Sequence, residues 1–373
     1  ISGNNNIALG YQAMQKNTTG FNNLAVGYNA MLENTTGKNN VAVGYQTLSK
    51  NSIGENNTTL GIRTLQNNTS GNNNLTMGYQ SMQKNTIGIN NTALGYTVLN
   101  KNIDGGFNVA TGFQALFNNI SSSYNTAYGS QTLRTNVSGE YNTAIGYQSL
   151  FKSTTSNFNT AVGVQSLFKN VSGESNVAFG YQSLFNNVSG TNNTAIGYKA
   201  FLNGNIFQNS TALGANTNIT ASNQVRLGNA SVTSIGGYAS WTNVSDGRFK
   251  KEVKENIVGL DFIKKLRPVS YRLDMNAIAK FNKIATQDRD KETEVQTGFI
   301  AQEVEAAAKL VGFDFHGVDA PENEQSHYGL RYSEFVVPLV KAVQEQQELI
   351  ETQKLELEAL KNRLKKIERY LQM

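Results

Sequence analysis

Ser245 and Lys250 are the residues of this 373-residue chain whose types and spacing could do covalent chemistry. A serine hydroxyl becomes a nucleophile only when a base takes its proton. A lysine amine can be that base where burial lowers its pKa from about 10.4. The five-residue separation alone is weak evidence, because such a pair far more often lies in a solvated loop. Other chemistries have less to work with. The chain has no cysteine, which excludes disulfides and thiolate metal sites, and only His316 and His327 could offer imidazole, so no metal site and no cofactor is expected. Glycoside hydrolysis needs paired carboxylates. Before residue 214 there are only Glu33, Glu55, Asp104, Glu140 and Glu174, and Glu55, Glu140 and Glu174 lie 34 residues or more apart, which makes no convincing pair.

Bulk properties narrow the field further. No apolar run approaches the roughly 20 residues that a membrane helix needs, so no membrane insertion is expected. Ile1-Ser2-Gly3-Asn4 has neither the basic nor the apolar region of a signal peptide, and it reads as the cut edge of a longer protein. A net charge of +5 is too mild to argue for nucleic acid. The charge is unevenly spread. Residues 1–214 hold 10 Lys/Arg and 5 Asp/Glu, leaving 22 of the 32 basic and 22 of the 27 acidic residues to the remainder. That shift marks the main boundary.

The first part is one repeat. Glycine stands at 10, 27, 44, 61, 78, 95, 112, 129, 146, 163, 180, 197 and 214, each step 17 residues. Asn lies four residues before it (Asn6, Asn23, Asn40), Ala or Thr two before, and usually an aliphatic residue one before (Leu9, Val26, Val43). An aromatic residue usually follows (Tyr11, Tyr28, Tyr45), then Met or Leu four after (Met14, Met31, Leu48) and Asn seven after (Asn17, Asn34, Asn51). A fixed period means like units stacked along one axis, with apolar columns forming a continuous core. Stretches such as Asn142 to Tyr147 alternate as a short strand would, bounded by Gly and Asn. The Asn columns can form amide ladders, and the glycine marks close backbone approach, to the next layer or to a neighbouring chain. With coils about 4.8 Å apart, the units would make a rod of about 60 Å. Units such as Asn40-Val41-Ala42-Val43-Gly44-Tyr45 resemble the head repeats of trimeric autotransporter adhesins, over residues 3 to about 215. That resemblance implies a trimeric β-roll. The 17-residue period departs from the usual shorter one. Six residues after the glycine, Lys16, Lys50, Lys84, Lys101, Lys152 and Lys169 form a column, read either as a solvated edge that blocks lateral pairing or as a cationic stripe for acidic glycans.

Residues 216–244 lose the period, although Gln224 to Asn229 still reads as a strand and turn. Ser245-Asp246-x-Arg248-x-Lys250 then resembles the start of the intramolecular chaperone of endosialidases and phage tail spikes. Gly259 to Tyr271, Gly298 to Val304 and Leu330 to Phe335 resemble, in order, that family's first helix and strand, its central strand-to-helix segment and the lead into its final helix. The resemblance implies a domain that drives trimerisation and then releases itself by cutting Val244–Ser245. Ser245 is then the nucleophile, Lys250 its general base, and Asp246 and Arg248 a supporting turn or ion pair.

From Val336 a heptad runs to the end, with Val336, Val343, Ile350, Leu357, Leu364 and Leu371 at a, and Leu339, Gln346, Gln353, Leu360 and Ile367 at d. Sustained a/d residues argue a coiled coil, with the two Gln layers fixing register or oligomer state. The other reading is one amphipathic helix packed on its own domain. Pro338 falls in the first turn, where it is tolerated.

The expected fold is therefore mainly β: a shaft of repeats over 1–215, a junction over 216–244, an α+β chaperone over 245–335 and a coiled coil over 336–373. The expected function is a homotrimeric fibre segment of a virion, attaching to a host cell-surface glycan or protein receptor, with a serine endopeptidase that acts once, in cis. The alternatives are a polysaccharide depolymerase whose catalytic domain lies upstream, and a bacterial surface adhesin. A membrane-tethered transcription factor with a related domain would need a basic module and a membrane helix, and neither is present.

Overall fold

The computed structural model describes residues 3–238, 241–281, 294–324 and 326–372. Ile1, Ser2 and Met373, which the sequence reading assigned to the shaft and the coiled coil, lie outside them. The chain divides into two units, Ile1–Ile235 and Gly236–Met373.

The first unit is a parallel β-solenoid. Fourteen strands, from β1 (Ile7–Leu9) to β14 (Val225–Leu227), pair in sequence order in one parallel sheet. Each repeat adds one strand and lands it 17 residues out of register with the last, Thr143↔Thr160 and Ala144↔Ala161 for instance. The interior is built from the two columns the period demands. Beyond the first coil, the Ala two before the glycine and the Met or Leu four after it are buried: Ala42, Ala93, Ala144, Leu48, Leu99 and Leu150 are all wholly buried. The strands are only three residues long at most repeats, so little of each coil lies in regular sheet. Corner amides bond the next coil instead, as Leu48 N–H does to Thr64 O at 3.1 Å and Lys50 N–H to Gln66 O at 3.0 Å.

The amide ladders are present, and they supply the partners that buried corner groups need. Asn40 donates its side-chain amide to Gly54 O at 2.8 Å, while its backbone N–H donates to Asn23 Oδ1 at 2.9 Å. Asn51 reaches the same Gly54 carbonyl at 2.9 Å and Asn34 Oδ1 at 2.8 Å. A buried carbonyl is thus held by two amides, one from each ladder. Removing one rung should be costly. Asn142→Ala would leave Asn159 N–H and Ser156 O, which bond it at 3.0 and 2.7 Å, without partners. We expect a loss of roughly 3 kcal/mol, measured as a fall in the denaturation midpoint.

The last coil is shorter. Gly228 lies 14 residues after Gly214, yet β14 still pairs β13 (Thr211–Leu213) in register, Leu213↔Leu227. The sheet therefore runs past the last full repeat.

The second unit is a small α+β domain. Helix α1 (Leu260–Ile263), strand β15 (Val269–Tyr271), helix α2 (Met275–Phe281), strand β16 (Gln296–Gly298) and helix α3 (Ala301–Leu310) are followed by the short hairpin β17 (Val318–Asp319) and β18 (Gly329–Leu330) and the long helix α4 (Val336–Leu371). Strands β15 and β16 are antiparallel. Phe262, Val304, Ala307, Ala308, Phe315 and Phe335 form the core. Helix α1 rests directly on α4: Leu260 N–H donates to Glu345 Oε2 at 2.7 Å, and a Cβ on Gly259 would lie 2.7 Å from Ala342 N. Of the 36 residues of α4, only Pro338 and Ala342 are buried.

Candidate functional site

The Ser245 and Lys250 side chains are brought together by a single tight turn. Gly247–Phe249 forms a 3₁₀ turn whose N-cap is Asp246. Asp246 Oδ1 accepts from Arg248 N–H at 2.9 Å, and Lys250 N–H closes the turn on Gly247 O at 3.2 Å. Capping of this kind is what short acidic residues do for otherwise unpaired amides. The turn folds the chain back so that Lys250 Nζ lies 2.9 Å from Ser245 Oγ. In its ammonium form Lys250 donates this bond; once neutral, it accepts the hydroxyl proton along the same line. Val244, whose carbonyl would be attacked, is 86% exposed.

Asp246 and Arg248 stand beside this pair without touching it. Arg248 Nη2 pairs with Asp246 Oδ2 at 2.6 Å. The Arg248 side chain first, and its backbone N–H second, hold the Asp246 carboxyl below the usual aspartate range. A depressed folded pKa contributes stability above the unfolded value and loses it as pH falls through the folded one. The cap is therefore expected to survive acidification past the ordinary midpoint of 3.8 and to open only below it. A carboxyl titration by NMR with Asp246 at or above 3.8 would contradict this.

Ser245 and Lys250 are both exposed within the single chain. A lysine acts as a base only where burial disfavours its charged form. The pair has the contact that the chemistry needs, while burial is not supplied by these residues alone.

Residues 245–318 match the family model described as the chaperone of endosialidase. No curated protein and no solved structure matches the chain significantly. The family is one of self-cleaving, peptidase-like chaperone domains, and its match begins at Ser245 itself. A parallel solenoid followed by a segment that matches this family is consistent with a tail-fibre-like protein with a C-terminal chaperone. The other segments singled out in the sequence take their expected forms: Gly259 to Tyr271 gives α1 and β15, Gly298 to Val304 leads from β16 into α3, and Leu330 to Phe335 leads into α4.

The lysine column is largely spoken for. Lys16 pairs with Glu33 at 3.4 Å, and Lys101, Lys152 and Lys169 each lie over a phenylalanine of the next coil, at 5.3, 6.0 and 5.5 Å from the ring centres of Phe117, Phe168 and Phe185. Among the described residues, no group of three or more His, Cys, Asp or Glu could hold a metal ion. Sequence reasoning missed a second set of surface residues. Phe107, Tyr124, Tyr141 and Phe158 stand twelve residues after successive glycines, and the signal was present as a change from Asn to aromatic in that column.

Proposed function

We propose that the chain forms a homotrimeric fibre segment for attachment to a host surface. Its C-terminal domain guides three chains together and then cuts itself free at Val244–Ser245. The observation that carries the cleavage is the Ser245–Lys250 contact at the first residue of the family match. Lys250 takes the Ser245 hydroxyl proton, and Oγ attacks the carbonyl carbon of Val244. The Ser245 nitrogen leaves with a proton as a free amine, giving an ester between Val244 and Ser245 Oγ. Water then hydrolyses the ester, so residue 244 ends as a carboxylate and the released domain begins at Ser245. Ser245 regains its hydroxyl, but the peptide bond it attacks is its own, so each chain reacts once.

Trimerisation is supported by apolar surface that a single chain leaves uncovered. On the outer face of the solenoid sheet, residues one before and one after the glycine are exposed: Ile145 38%, Tyr147 47%, Ile196 44% and Tyr198 50%. The same two columns recur along the solenoid, and an extended apolar surface of this kind marks an interaction site. On α4 the heptad residues Val343, Leu357 and Leu364 are each more than half exposed. Two periodic apolar faces on one chain fit symmetric association of like chains, and the resemblances of both parts imply three. The trimer also offers what Lys250 lacks: neighbouring chains that bury it, so that cutting follows assembly.

The uncut Ser245→Ala chain is expected to sediment at three times the chain mass of 40.7 kDa. A stable monomer at micromolar concentration would contradict the proposal.

A further inference from the structure

Five residues before each repeat glycine, the backbone is left-handed in every coil, with φ between 52° and 63° from Asn5 to Asn223. Asparagine tolerates that region better than any other residue with a side chain, and bulky residues there are strained. Nine of these fourteen positions are Asn, among them Asn22, Asn39 and Asn56, and one is Ser175. The asparagines hand hydrogen bonds from rung to rung, Asn22 to Asn39 at 3.2 Å and Asn39 to Asn56 at 3.1 Å. Four consecutive coils abandon this arrangement and carry Phe107, Tyr124, Tyr141 and Phe158, with φ of 58° to 62°.

Burial does not explain the change. The four side chains are 45%, 47%, 48% and 57% exposed. Their rings run in a near-parallel row with centres 5.0, 4.8 and 5.3 Å apart. Parallel rings at such separations are offset, so each leaves an edge and part of a face open to solvent. The buried Met and Leu columns are left-handed too, but those side chains are compensated by the core. At an exposed position, strain that the neighbouring repeats avoid marks function.

We propose that Phe107, Tyr124, Tyr141 and Phe158 form a binding row for a linear, uncharged polysaccharide. Four like sites at a constant spacing near 5 Å complement a ligand that itself repeats at a similar interval, as a chain of pyranose residues does. The open ring surface suits the apolar C–H face of a sugar. The phenol hydroxyls of Tyr124 and Tyr141 suit its hydroxyls. None of the four aromatic positions carries a charge to select an acidic chain.

This inference rests on the host-attachment reading above, and the test separates the two. The variant with Phe107, Tyr124, Tyr141 and Phe158 all changed to Asn restores the ladder residue of the other coils. It is expected to melt no lower than the parent, because strain is removed. Both proteins are run through native gels containing dextran, a galactomannan or a mannan, and through gels containing alginate or hyaluronate. The parent is expected to be retarded by at least one neutral polymer, and the variant to bind that polymer at least about tenfold more weakly. A parent retarded by no neutral polymer, or a variant retarded equally, overturns the inference. Retardation by the acidic polymers alone, unchanged in the variant, also overturns it, moves the contact to the lysine column and leaves the attachment reading standing. A lower melting temperature in the variant assigns the row to stability and overturns it too. Failure of the attachment reading shows separately, as a monomer in sedimentation.

Discussion

Lys250→Met and Lys250→Arg are both expected to yield an uncut chain. Methionine keeps the length of the side chain and removes the amine. Arginine keeps a positive donor within reach of Ser245 Oγ but does not release its proton. If Lys250 served only to hold the turn or to stabilise charge, arginine would retain part of the reaction. If it is the base, both variants lose it, and removal of a general base lowers a rate by about 10²- to 10⁴-fold. The readout is the fraction of chain converted over time on denaturing gels. Because the Asp246 side chain caps the turn around Gly247–Phe249 and Lys250 contributes only its backbone N–H, which both variants keep, neither change should unfold the domain, and its melting temperature serves as the control. Substantial cutting by the arginine variant would remove Lys250 from the role of base.

The second large effect is on the solenoid. A Cβ on Gly146 would lie 2.7 Å from both C and O of Gly163 and 3.2 Å from Val164 N. These are backbone atoms of the next coil, and no rotamer change relieves them. The backbone at Gly146 has φ of 121°, where a residue with a side chain is strained as well. Gly146→Ala is therefore expected to cost about 3 kcal/mol or more. The loss falls on an interface between neighbouring coils, and in a solenoid such interfaces carry much of the stability. It should lower the shaft's unfolding midpoint while leaving the unfolding transition of the C-terminal domain of the same chain unchanged. An unaltered midpoint would mean that the coils are not stacked as described.

The fold was readable in the sequence wherever stacking imposed identity. Ala144, Gly146 and Leu150 recur because each coil places the same atom above the same atom, so the period, the core columns and the Asn ladders follow from spacing. The glycine column was read as close approach with the partner left open, and Gly163 above Gly146 shows that it is the next coil of the same chain. The features that escaped the reading depend on few residues or on distant ones. The 14-residue spacing of the last coil does not follow from a 17-residue period, although its strand β14 was legible in Gln224 to Asn229. Strands β17 and β18 are two residues each, too short to show alternation. The core of the second unit joins Phe262 to Phe315 and Phe335 across more than 50 residues of sequence, which no local pattern reveals. The left-handed positions are legible where they carry Asn. At Tyr124 and Tyr141 they are not, because an aromatic residue between polar neighbours reads as a strand.

The site divides in the same way. A serine and a lysine five apart mean nothing until a turn brings them together, and the turn is written in Asp246, whose carboxylate caps it. The motif as a whole pointed to the site; the spacing by itself did not.

The intact mass of the purified chain, measured beside its Ser245→Ala variant under denaturing conditions, bears on self-release with the fewest assumptions. The parent is expected to give two pieces divided between Val244 and Ser245, and the variant a single whole chain. If both remain whole after trimers have formed, the domain is a permanent clamp, and the roles assigned to Ser245 and Lys250 are wrong.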